Sequence, residues 1–129
     1  MYGGEWYNSL NKPFLNPPGE IFAPVWTILY IMIALAFIFY IKGGITKGKI
    51  VPLIFFFIQL FLNFSWSPVF FIFHDIALAL IIIVLMWFFT ALTVLTFMFY
   101  SKKAALLLVP YLLWITFALY LNFGFFVLN

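Results

Sequence analysis

Residues 21–41 read IFAPVWTILYIMIALAFIFYI, a run without a formal charge. An α-helix of that length rises about 31 Å, enough to cross the hydrocarbon core of a bilayer. Three more uncharged runs follow, at residues 51–73, 76–100 and 104–128. Lys42-Gly43-Gly44 with Lys47-Gly48-Lys49, then His74-Asp75, then Ser101-Lys102-Lys103 separate them, short polar connections of the kind that lie at lipid headgroups. The sequence therefore predicts an all-α, polytopic transmembrane helical bundle with four spans visible, in a single domain over residues 1–129. Strands of a membrane barrel are excluded, because no segment alternates apolar and polar residues.

Composition agrees with this reading. The 129 residues are 68% hydrophobic and 7% charged, whereas soluble domains are about 45–50% apolar and about 25% charged. No water-facing surface can be built from such a chain, and no length remains for a soluble catalytic module. The chain has no cysteine, which excludes disulfides and thiolate chemistry. A net charge of +3 is too thin for a nucleic-acid surface, so no nucleic-acid partner is expected. Residues 1–20 differ from the rest: Pro13, Pro17, Pro18, three glycines and both glutamates make a turn-rich extramembrane loop, without the basic start and apolar run of a signal peptide. Lys42, Lys47, Lys49, Lys102 and Lys103 fall on one side of the membrane with no acid, while Glu5, Glu20, Asp75 and Lys12 fall on the other. The positive-inside rule makes loops 42–50 and 101–103 cytoplasmic and puts the N-terminal loop and the C-terminus outside.

Polar side chains and prolines are the informative residues inside a bilayer, since each needs a partner or a cavity. Gln59, Asn63 and Ser67 follow at i, i+4 and i+8 on one helix face, with Trp66 at its border. They can bond to neighbouring helices or face a ligand, and spacing alone leaves both readings open. Pro68 removes a backbone donor from the carbonyl of Phe64, which kinks the helix or frees an acceptor. Trp26 and Tyr30 lie one turn apart, as do Trp114, Ala118 and Asn122 in succession; Ala118 is the small position where a second body can approach. One histidine and three carboxylates cannot supply a metal site with its supporting shell, so no metal ligand and no required cofactor is expected. His74-Asp75 reads as an interfacial turn. No ionisable residue lies within a span and no internal repeat is visible, which disfavours proton-driven transport. Aromatic faces with a few hydrogen-bonding groups suit a flat, largely apolar molecule, and the stiff leader with Trp6 and Tyr7 is placed to cover it.

Three ordered motifs carry a resemblance. Trp6-Tyr7, Leu10, Lys12-Pro13, Pro17-Pro18 and Phe22-x-Pro24-Val25-Trp26-Thr27-x-Leu29-Tyr30 form the first. Gln59-Leu60-x-Leu62-Asn63-x-x-Trp66-Ser67-Pro68-x-Phe70-Phe71 is the second, and Pro110-Tyr111-Leu112-Leu113-Trp114-x-x-Phe117-Ala118-x-Tyr120-Leu121-Asn122 the third. Together they resemble the TspO/MBR family, the tryptophan-rich sensory proteins and mitochondrial translocator proteins (peripheral-type benzodiazepine receptors), over essentially the whole chain. The resemblance implies a pocket for protoporphyrin IX or a related tetrapyrrole, lined by Tyr7, Trp26, Tyr30, Asn63, Trp66, Trp114 and Ala118. It also implies a sensor or regulator in the plasma membrane of a prokaryote. The alternatives are a transporter of porphyrin or another hydrophobic metabolite, and a light-dependent porphyrin-degrading enzyme in which Trp26 and Trp114 would be the reactive tryptophans. Family members form homodimers, although no span here holds a Gly-x-x-x-Gly pair. The family has five spans, so its first helix is expected to be absent or to lie upstream of Met1. The last helix lacks the Lys or Arg after Tyr120 that a sterol motif requires, and sterol binding is not carried over.

Overall fold

The computed structural model describes residue 10 and residues 22–129. Four long helices account for nearly all of the described chain: α1 (Phe22–Ile41), α2 (Ile50–Phe71), α3 (Ile76–Phe97) and α4 (Lys102–Leu128). Each is long and apolar enough to cross a membrane. Their limits fall within a few residues of the expected spans, because glycine and charge stop a membrane helix where water begins. Gly43 and Gly44 take positive φ angles of 90° and 105° and turn the chain out of α1. A single 3-10 turn, Lys47–Lys49, leads into α2.

The His74-Asp75 turn behaves as the sequence indicated. His74 adopts a left-handed φ of 56°, and the Asp75 carboxylate accepts the Leu78 N–H at 2.9 Å, capping α3. Ser101 caps α4 in the same way, through the Ala104 N–H. Pro68 does not end α2, which continues to Phe71. The Pro68 carbonyl instead takes both the Ile72 and the Phe73 N–H, and this last turn delivers the chain to His74.

Which face of each helix turns inward follows one rule. The buried residues run Trp26, Leu29, Ile33, Ala36 and Tyr40 in α1, and Pro52, Phe56, Gln59, Asn63, Trp66 and Phe70 in α2. In α4 they include Ala104, Leu108, Tyr111, Ile115, Ala118, Asn122 and Phe125, and α3 repeats the spacing from Ala79 to Phe97. Steps of three and four alternate along each inward seam, the 3.5-residue repeat typical of helices packed side by side in a bundle. Ser67 therefore falls beside the seam, half-buried, and Trp66 occupies the position that a strict i+4 step would have given it. Outward positions such as Ile28, Ile31, Leu35 and Ile38 remain exposed and apolar, as lipid requires.

Helix α1 packs on α4, α4 on α3 and α3 on α2. Helices α1 and α2 meet mainly through side chains, with Phe37 stacked on Phe56 at 5.5 Å and Tyr30 tilted against Phe64 at 5.8 Å. Between them runs an apolar groove of about 400 Å³, lined along its length from Tyr30 and Phe64 to Phe37 and Phe56. Replacing the α3 cap, Asp75→Ala, is expected to lower stability by about 1 kcal/mol. A denaturant titration in detergent followed by circular dichroism checks this, and an unchanged midpoint would remove the cap from the account.

Candidate functional site

Tyr30, Asn63, Tyr111, Gln59 and Thr90 form one hydrogen-bonded chain through all four helices. The Tyr30 hydroxyl donates to Asn63 Oδ1 at 2.5 Å. Asn63 Nδ2 donates to the Tyr111 hydroxyl at 2.7 Å, and that hydroxyl passes its own proton to Gln59 Oε1, also at 2.7 Å. Thr90 Oγ1 donates to the same Gln59 oxygen at 3.4 Å. The Tyr111 hydroxyl accepts from Asn63 and directs its proton chiefly to Gln59, with Met86 Sδ at 3.7 Å as a weaker alternative, so it is the junction between α4 and both amides of α2. Gln59 and Tyr111 are fully buried and Asn63 is 4% exposed. Gln59 Nε2, a buried donor, has no hydrogen-bond partner among the described residues. Of the two readings that the spacing left open, the structure shows the interhelical one, as Gln59 and Asn63 both bond to neighbouring helices.

Aromatic rings crowd one flank of this chain. The Trp26 ring lies 5.7 Å from Tyr30 and 6.4 Å from both Tyr111 and Trp114, edge-on to the latter two. Trp26 is 6% exposed, turned inward rather than to lipid. Trp114 is half-buried and continues the ring series to Phe117 at 5.6 Å. Trp26 and Tyr30 come from α1 and Trp114 and Tyr111 from α4, the helix pair whose seams interlock. Stacked and edge-on rings at these separations contribute about 0.5–1.5 kcal/mol per pair beyond the area they bury.

Trp66 belongs to a second cluster. Its indole N–H donates to Asn122 Oδ1 at 2.8 Å, and Asn122 Nδ2 reaches the Ile76 carbonyl at the start of α3. The Trp66 ring packs on Phe70 and Phe71. Trp66, Ala118, Asn122 and Phe125 line a hollow of about 20 Å³ between α2 and α4, room for a water rather than a ring. Ala118 stands one turn beyond Trp114 on α4, and a larger side chain there would fill the hollow. The expected site residues Trp26, Tyr30, Asn63 and Trp114 are thus brought together, Trp66 and Ala118 lie in the adjoining hollow, and Tyr7 lies outside the described residues. Sequence reasoning quoted Tyr111 within a motif and gave it no role, and passed over Thr90. A tyrosine directly after a membrane proline and a threonine on an apolar helix are the only signals that either carries, as their partners lie 52 and 31 positions away in the chain. Among the described residues no group of three His, Cys, Asp or Glu gathers to hold a metal.

The sequence pattern of the TspO/MBR family matches residues 2–128. The chain is 47% identical over 125 residues to the tryptophan-rich protein TspO of Chlorobaculum tepidum, a match covering 96% of this chain and 79% of that protein. It is 41% identical to the tryptophan-rich sensory protein of Cereibacter sphaeroides, over 92% of this chain and 73% of that one. With the translocator protein of Homo sapiens it shares 37% identity over 94% of this chain and 73% of the human protein.

Removing the junction hydroxyl, Tyr111→Phe, leaves Asn63 Nδ2 and Gln59 Oε1 short of a partner and is expected to cost about 1–3 kcal/mol. Tyr30→Phe removes a half-exposed end of the chain and is expected to cost less, near the ~0.6 kcal/mol typical of interhelical bonds in membranes. Unfolding of both variants in mixed micelles tests this order; equal losses would show that Tyr111 is no junction.

Proposed function

This chain belongs to the TspO/MBR family, and we propose that it binds protoporphyrin IX or a related tetrapyrrole between its helices and acts as a membrane sensor or regulator. The observation that carries this reading is the ring set Trp26, Tyr30, Tyr111 and Trp114 gathered beside Asn63. Indole and phenol faces stack on a flat macrocycle, while a few fixed polar groups set its orientation. Asn63 is held rigidly by Tyr30 and Tyr111, and Gln59 Nε2 offers a buried donor to an acceptor on the guest. The name of the Cereibacter sphaeroides relative, tryptophan-rich sensory protein, accords with sensing. Loops 42–50 and 101–103 are proposed to face the cytoplasm, from their lysines.

Binding on this reading requires movement. Ligand pockets commonly enclose about 300–1,000 Å³, far more than the hollow beside Ala118, so the helices must part to admit the macrocycle. The α1–α2 side is the place where they part most readily, because backbone packing is thinnest there and a groove already separates the two helices. The guest then stacks on Trp26 and Trp114 and lies against Ala118, with Trp66 and Asn63 on the opposite wall.

Titration with protoporphyrin IX, followed by tryptophan fluorescence, should give saturable quenching. Trp26→Phe and Trp114→Phe are each expected to weaken binding about tenfold, the loss of one good ring contact. Ala118→Phe should abolish binding by filling the hollow, and Trp87→Phe should leave it intact, since Trp87 lies on the exposed side of α3 and bonds to Thr116 of α4. Non-saturating quenching, equal in every variant, would overturn the pocket. Illumination of the complex separates the alternatives: loss of porphyrin absorbance with wild type but not with Trp26→Phe or Trp114→Phe would indicate degradation, and vectorial uptake into sealed vesicles would indicate transport.

A further inference from the structure

The lysine-bearing end of the bundle holds a charge arrangement that the fold itself does not satisfy. Lys42 follows the end of α1, Lys47 and Lys49 form the 3-10 turn, and Lys102 and Lys103 open α4. The connections carrying them are locked together. Tyr40 stacks on Phe97 at 3.8 Å and donates its hydroxyl to the Lys49 carbonyl at 3.1 Å. Lys49 Nζ returns bonds to the carbonyls of Tyr40, at 2.9 Å, and Gly44, at 3.1 Å, and lies over the Tyr40 and Tyr100 rings. Gly48 lies close beneath Tyr100, where a Cβ would come within 2.5 Å of the phenol oxygen and push that ring aside. Lys103 reaches across to the Phe39 ring at 5.1 Å, tying the start of α4 to the end of α1. Two lysines are thus engaged within the protein. Lys42, Lys47 and Lys102 are exposed, and their ammonium groups make no hydrogen bond or ring contact among the described residues.

Helix dipoles sharpen the imbalance. Lys47 and Lys49 precede the N-terminus of α2, and Lys102 and Lys103 form the first turn of α4. Cations are disfavoured at helix N-termini, where the dipole is already positive and anions are welcome. The one carboxylate among the described residues, Asp75, caps α3 at the opposite end. An anion from outside the chain is what this end lacks.

We propose that this rim binds the phosphate headgroups of anionic phospholipids, with Lys42, Lys47 and Lys102 as the contacts. A lipid surface fits better than free phosphate for two reasons. The three ammonium groups are spread around a rim rather than gathered in a cavity. Beside them the side chains of Ile45, Ile50 and Phe99 are 58%, 48% and 84% exposed, and such apolar groups at a helix end belong against acyl chains. The rim thereby selects lipid by charge, independently of any guest between the helices.

The experiment uses the full chain in mixed micelles and follows its thermal unfolding midpoint with added phosphatidylglycerol, phosphatidylcholine or inorganic phosphate. Phosphatidylglycerol is expected to raise the midpoint, salt to reverse that rise, and the other two additions to have little effect. Each lysine near an anionic surface contributes about 1 kcal/mol, so the triple variant Lys42→Gln, Lys47→Gln, Lys102→Gln should bind phosphatidylglycerol on the order of a hundredfold more weakly. The corresponding triple Arg variant keeps the charges and should keep the response. An equal rise with phosphatidylcholine, a match by inorganic phosphate, or an undiminished response in the Gln variant would each overturn the proposal. Should the Gln variant fail to fold, insensitivity of the wild-type response to salt overturns it instead.

Discussion

The constraint on which the structure depends is that lipid and protein interior are equally apolar. Burying another leucine gains little when the alternative is an acyl chain, so arrangement is left to close packing and to the few polar groups that have nowhere else to go. The Tyr111 hydroxyl carries most of that burden, accepting from Asn63 and donating to Gln59. Through Tyr30 at one end and Thr90 at the other, the same chain of bonds touches every described helix. Trp66 and Asn122 make a second, separate tie between α2 and α4 and on to the first residue of α3.

Because these ties are also where the aromatic rings gather, bundle assembly and the proposed binding function draw on the same residues. Asn63 cannot turn toward a guest without releasing Tyr30 or Tyr111, and Trp26 cannot move without disturbing its contacts on α4. On the proposed reading, a porphyrin arriving there would compete with contacts that hold the helices, and its occupancy would then be felt elsewhere in the bundle. At the other end, the locked arrangement of Tyr40, Lys49 and Tyr100 holds α1 against the turn before α2, where backbone contact along the rest of that pair is thin.

The helices themselves were legible in the sequence, since Gly43-Gly44, His74-Asp75 and Ser101 interrupt otherwise unbroken apolar runs and fix both count and approximate limits. Their inward faces were harder to read. In α1, buried Ile33 and exposed Ile31 are chemically the same residue, and only packing separates them. The polar stripe in α2 identified the inner face at Gln59 and Asn63, but a strict four-residue step drifts off a 3.5-residue seam and selected Ser67 where Trp66 lies. Much of the candidate site was visible because asparagine and tryptophan are costly to place in a membrane without purpose. Tyr111 escaped because a hydroxyl's importance lies in what it touches, and its partners are distant in sequence.

The hollow beside Ala118 has a consequence for timing. A cavity of about 20 Å³ admits no macrocycle by simple collision, so on the proposed reading capture would wait on the helices separating, and its rate would follow how often they do so rather than encounter frequency. Such an opening would also widen the protein's footprint in the plane of the membrane. Lateral pressure and acyl-chain order in the surrounding bilayer would then act as brakes or accelerators on uptake without touching the pocket at all.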